Sequence, residues 1–222
     1  LAGWRLAAAA VFLLGPGLAF GGSVTLFSDF GAGDSFEFPG PPTPYCIGGN
    51  NPGCAGIDYQ PAFAFTPGTT AYLTQVDLAL YNAANGAEGE GVISVMTDSG
   101  GLPGSVIEQW TLTPGSNQVY TLTSELNPLL TAGTQYWLEA TDTLGAGGVI
   151  GWDANSISET GSYADMETGS WVLENSNAPQ GAFDILANTV NPNPTAPEPS
   201  SLALLGTGAA LLVLARKKRK QP

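Results

Sequence analysis

From Tyr72 to Tyr81 the chain alternates, with Val76, Leu78 and Leu80 on one face and Asp77, Ala79 and Tyr81 on the other. A period of two sends successive side chains to opposite faces of an extended strand, and one apolar face means one buried face. Shorter runs of the same kind lie at 92–97, 106–112, 119–122, 136–140, 149–152, 171–173 and 183–186, with two more at 24–30 and 62–65. Between them fall Gly86, Gly100-Gly101, Pro103-Gly104, Pro114-Gly115, Ala132-Gly133 and Gly147-Gly148. Many short strands, turn residues between them and no amphipathic helix predict an all-β fold. Its form is a single antiparallel β-sandwich or jelly-roll-like domain. The segment 126–130 is the one candidate helical turn, and Pro128 limits it.

Charge is segregated along the chain. Arg5 and the cluster Arg216, Lys217, Lys218, Arg219 and Lys220 hold every Lys and Arg, and there is no His. Every Asp and Glu except Glu198 lies between residues 22 and 196, within a net charge of −13. A body of one sign repels phosphates, which excludes nucleic acid as a partner. The low charged fraction and many aromatics argue for a folded body.

The two ends read as addresses. Arg5, the apolar stretch 6–14, the break at Gly15-Pro16-Gly17 and the small residues Ala19, Gly21 and Gly22 give a secretory signal peptide over 1–21. The domain then runs over 22–190, and 191–196 is a Pro-rich spacer, extended and solvated. At 197–222 come Pro197-Glu198-Pro199, an apolar span and the basic cluster, a stop-transfer order that places the cations in the cytoplasm. The span 200–215 covers roughly 24 Å at ~1.5 Å per residue, short of a hydrocarbon core of about 30 Å. A span this marginal suits a transient tether.

Those three parts in that order resemble the PEP-CTERM sorting signal. The resemblance implies Pro197, Glu198 and Pro199 as the sorting motif, Arg216 to Lys220 as the stop-transfer tail, and a short transmembrane sorting helix between them. It implies an exosortase as processing partner, besides the Sec machinery and signal peptidase, and only transient contact with the membrane. The implied precursor is tethered to the inner membrane, and the mature form is at the cell surface or extracellular, in an exopolysaccharide or biofilm matrix. Gly101-Leu102-Pro103-Gly104, the run Leu130 to Leu138 and Ala182-Phe183-Asp184-Ile185 are similar to the choice-of-anchor extracellular β domains. That second resemblance spans 71–186 and implies no chemistry.

In an oxidising compartment Cys46 and Cys54 are expected to form a disulfide across a turn-rich loop. No further Cys and no His could complete a zinc site with them. The same missing residue types argue against an enzyme. Without His there is no Ser-His-Asp machinery, and without Lys or Arg in the body there is no Schiff base and no phosphate clamp. No catalytic residue is therefore assigned. A carboxylate pair drawn from Glu139, Asp142 and Asp153, near Tyr136, Trp137 and Trp152, is the remaining route, as in glycoside hydrolysis.

No cofactor is expected, although a structural calcium could sit at Asp98-Ser99-Gly100-Gly101 or Asp142-Thr143-Leu144-Gly145; the ordinary use of each is an Asx turn. The leading expectation is a non-enzymatic surface or matrix protein. The alternative is a carbohydrate-binding module stacking polysaccharide on Trp110, Trp137, Trp152 or Trp171.

Overall fold

The computed structural model describes residues 22–37, 45–48, 59–82, 89–143, 150–166 and 169–192. Contacts divide the chain into two units, Leu1–Val190 and Asn191–Pro222. Of the second, only Asn191 and Pro192 are described. The described residues contain no helix. They form β1 (Ser23–Ser28), β2 (Phe36–Glu37), β3 (Tyr45–Ile47), β4 (Ala62–Phe65), β5 (Ala71–Asn82), β6 (Gly91–Asp98), β7 (Pro103–Leu112) and β8 (Gln118–Thr123). There follow β9 (Leu129–Leu130), β10 (Tyr136–Asp142), β11 (Ile150–Trp152), β12 (Ala154–Asn155), β13 (Thr160–Met166), β14 (Trp171–Pro179) and β15 (Phe183–Asn188).

One sheet has the order β1-β15-β5-β11-β3, with β8 and β9 also paired to β5; the other runs β14-β13-β4-β10-β6-β7. A small third sheet joins β12 to β2. Every strand pairing is antiparallel. The alternating segment becomes β5, the organising strand. Over Gln75 to Leu78 it is paired on both sides, to β15 and to β8. Its inward set is Leu73, Val76, Leu78 and Leu80. The step from Leu73 to Val76 breaks the period of two. The pairing with β15 shifts register at the same place, between Leu186 and Ala187, so a bulge keeps both side chains inward.

The inward faces of the two large sheets share one core. Phe63 of β4 meets Trp152 of β11 edge-on at 4.9 Å, and Phe65 meets Phe183 of β15 at 6.1 Å. Ile93, Val95 and Leu138 of the second sheet join the β5 set in the same cluster. Burying each such side chain contributes roughly 1.5–3 kcal/mol. Two antiparallel sheets sharing one apolar core are consistent with a β-sandwich. A satellite cluster of Ala62, Met96, Trp137 and Ala164, flanked by Ala64, Leu102 and Trp171, occupies the second sheet's other face.

Two local expectations are corrected. Residues 126–130 form no helical turn; Asn127 adopts φ 47° and Leu129–Leu130 become β9, paired to Ala71 and Tyr72. Pro103-Gly104, expected between strands, instead opens β7 and is not the turn between β6 and β7. Gly100 and Gly101, at φ 70° and 85°, make a two-residue hairpin turn closed by Ser99 N–H donating to Leu102 O at 2.8 Å. Two successive positive φ values define the type I′ turn that suits strand twist, which leaves Pro103 to open β7.

Candidate functional site

Pro197, Glu198, Pro199 and the basic residues Arg216, Lys217, Lys218, Arg219 and Lys220 lie outside the described residues, as does the span between them. Among the described residues no helix is long and apolar enough to cross a membrane. Cys46 sits on β3 opposite Gly151 and is not a free thiol; Cys54 lies outside the described residues.

The four tryptophans proposed as stacking platforms separate into two kinds. Trp152 is fully buried between Phe63 and Phe183, its indole N–H donating to Ala182 O at 3.1 Å. Trp137 is fully buried in the satellite cluster and donates to Asp98 Oδ1 at 2.9 Å. Both are core. Trp110 and Trp171 are half-buried. Trp171 leans on the satellite cluster, while Trp110 packs against the main core and also lines the opening between β7 and β8.

The acids named from sequence are dispersed in role. Glu139 is buried on β10 opposite Ser94, and burial pushes its carboxyl up against the opposing Ser94 hydrogen bond. Asp142 ends β10 and packs so closely on Gly48, at φ 93°, that a Cβ there would collide with it. Asp153 is fully buried, with no hydrogen-bond partner for either carboxylate oxygen among the described residues, and burial pushes it up to about 7. Asp98 makes an Asx-type turn, accepting from Gly101 N–H at 3.1 Å through Oδ2 and from Gln135 Nε2 at 2.8 Å through Oδ1. Burial alone would raise Asp98, but the hydrogen bonds from Trp137, Gly101 and Gln135 hold it below the ordinary range. Leu144 and Gly145 lie outside the described residues, and among those described no three His, Cys, Asp or Glu are grouped to hold a metal ion.

Sequence reasoning passed over the acids that the structure uses most. Asp29 is fully buried after β1. Its Oδ1 takes Phe183 N–H at 2.6 Å in place of a ladder carbonyl, and burial, reinforced by Asp184 and Glu159, pushes it up to about 8. Asp165 accepts from Gln60 N–H and from Tyr163 Oη, at 2.9 and 2.7 Å. Glu108, buried on β7, takes three donors: Ser124 Oγ at 2.6 Å, Glu125 N–H at 2.6 Å and Leu126 N–H at 3.0 Å. In each case the signal that could have found the acid is only an Asp or Glu inside or beside an apolar run.

Glu108 and Trp110 both line a concave feature among the described residues. β7 closes the second sheet and β8 flanks the first, so two strand edges face each other. Between them lies a groove of about 580 Å³, lined by residues 106–111 and by Thr121, Leu122, Thr123, Glu125 and Leu126. Glu108 ties the segment after β8 across to β7, and Trp110 Nε1–H donates to Thr123 O at 2.8 Å. That bond fixes the indole in the groove wall. Thr111, Thr121, Thr123, Gln109 and Glu125 are exposed beside it, and Val106 and Leu126, 48% and 66% exposed, form apolar rims.

No curated protein matches the chain. Over residues 195–220 it matches the family model of the PEP-CTERM protein-sorting motif, which marks it as carrying the tag of an exosortase substrate.

Proposed function

We propose that the chain is a non-enzymatic surface or extracellular-matrix protein that an exosortase sorts and processes. The observation that carries this reading is the match at 195–220, which implies export of the body and exosortase as the processing partner. In this reading the signal peptide 1–21 is removed first. The span 200–215 then holds the precursor in the inner membrane, with the basic cluster on the cytoplasmic side. The spacer 191–196 keeps Pro197-Glu198-Pro199 extended and within reach of the protease. Cleavage releases an acidic β-sandwich domain, 22–190, to the cell surface or an exopolysaccharide matrix.

Export also supports a Cys46–Cys54 disulfide, which would pin one loop without carrying the fold. The absence of His, and of Lys and Arg from the body, supports a role without catalysis. The single domain is the passenger and the tail is its delivery tag.

Intact-mass measurement of the exported protein tests the reading. The expected species lacks Arg5 at one end and Arg216 to Lys220 at the other. A membrane-bound species that keeps Arg216 to Lys220 in cells with an active exosortase would sink it in favour of a permanent anchor. Non-reducing peptide mapping checks the disulfide, with a Cys46–Cys54 crosslinked peptide expected.

A further inference from the structure

We propose that the groove between β7 and β8 binds an uncharged polysaccharide chain, with Trp110 as the face on which a sugar ring stacks. This goes beyond the sorting reading and does not depend on it. The groove, about 580 Å³, falls within the range of ligand sites, roughly 300–1,000 Å³. Its β7 wall runs over six residues, about 20 Å of extended strand, so it suits an elongated ligand better than a compact one.

The lining matches hydroxyl-rich chemistry. Thr111 and Thr123 offer hydroxyls and Gln109 an amide, all exposed at the groove, while Thr121 already donates its hydroxyl to Asp77. Half-buried Trp110 packs against the core and lines the groove with the rest of its indole. That packing and its bond to Thr123 O set the ring's orientation, so little rotamer freedom remains to be lost on binding. Val106 and Leu126 frame the groove with apolar surface for the ring faces of sugars.

Charge selects among polysaccharides. Exposed Glu125 borders the groove, and no Lys, Arg or His occurs anywhere from residue 22 to residue 196. An anionic chain would meet repulsion with no cation to offset it, so uronate-rich and sulfated polymers are excluded. Glu108, although it lines the groove, spends its carboxylate on three internal donors and stays structural.

Affinity electrophoresis of the full exported protein tests this, with gels containing dextran, glucomannan, galactomannan, xyloglucan or soluble starch. Carboxymethyl dextran and dextran sulfate serve as charged counterparts. The expected result is retardation by at least one neutral polymer and by neither anionic one. Trp110→Ala should weaken binding at least about ten-fold and exposed Gln109→Ala about three-fold, while Trp171→Ala, on another strand, leaves it unchanged. If Trp110→Ala loses its β circular dichroism, Trp110→Phe and Gln109→Ala decide in its place. No retardation by any neutral polymer, retardation by the anionic gels alone, or full binding by both Gln109→Ala and the Trp110 variant would overturn the proposal.

Discussion

Asp77 and Asp184 stand directly opposite each other on β5 and β15. The register continues outward on both sides, to Thr121 on β8 and Ser28 on β1, so one row crosses four strands as Ser-Asp-Asp-Thr. Asp77 is satisfied by Thr121 Oγ1 at 2.6 Å and Gln75 Nε2 at 2.7 Å. Asp184 is raised by burial and by the facing carboxylates of Asp77 and Asp34, against a hydrogen bond from Ser28. Like charges directly opposite on a sheet destabilise it.

Removing one of them should therefore help. Asp184→Asn is expected to stabilise the domain by about 0.5 kcal/mol at neutral pH, with the gain shrinking in high salt as screening weakens the repulsion it relieves. Urea unfolding at low and high ionic strength measures it. Asp77→Asn should gain less, because a carboxamide cannot accept from both Thr121 and Gln75. Destabilisation by Asp184→Asn, or a gain that high salt leaves unchanged, would show that the pair is not repulsive in the folded state.

The buried acids set the pH dependence. Asp29 and Asp153 are pushed up to about 8 and about 7, in both cases by burial first, from an ordinary value of 3.8. A raised carboxyl favours the protonated folded state. Stability is then fully present below pH 3.8 as far as these two groups are concerned, and is lost as pH rises through about 7 to 8. Thermal melts from pH 5 to 9 should show a falling Tm, with a total loss on the order of a few kcal/mol. Asp153→Asn should flatten the slope below about pH 7, and Asp29→Asn should flatten it up to about pH 8. A Tm that rises across this range would contradict the assignment.

Glu108 is expected to be worth more to stability than any exposed acid. Glu108→Ala leaves Ser124 Oγ and the N–H groups of Glu125 and Leu126 without their acceptor and should cost about 2–4 kcal/mol. Glu108→Gln retains one acceptor oxygen and should cost less. Hydrogen exchange supplies the specific readout: amide protection at Glu125 and Leu126 should fall in both variants before that of β5 does.

In the core, Phe63→Ala is expected to cost about 3–5 kcal/mol. Its ring is fully buried and meets Tyr45, Trp152 and Tyr163 at 4.6, 4.9 and 5.4 Å. Exposed Leu129→Ala should stay within about 0.5 kcal/mol. Denaturant midpoints of the two variants make the comparison.

The strands with apolar alternation were legible from sequence because burial on one face leaves a period of two, as in Tyr72 to Tyr81. Thr160–Met166 was not. It carries Gly161, Ser162, Ala164 and Asp165, residues of low strand preference, and is extended because β4 and β14 pair with it on both sides. Two-residue strands such as Phe36–Glu37 are likewise fixed by a distant partner, here Ala154–Asn155.

The site was legible only in part. Trp110 was named among four tryptophans, but nothing local distinguishes it from Trp137, which faces the satellite cluster on the outer side of its own sheet. The roles of Glu108 and Asp29 depend on donors 16 and 154 residues away, a separation over which local pattern carries no information.

Sheets commonly guard their open edges with lysine, and this body has none to use. The β7 edge begins with Pro103, its pairing with β6 is broken by two register shifts, and Glu108 and Trp110 draw the end of β8 across it. At this edge, geometry and hydrogen bonding oppose strand-to-strand annealing of neighbouring copies, without recourse to positive charge.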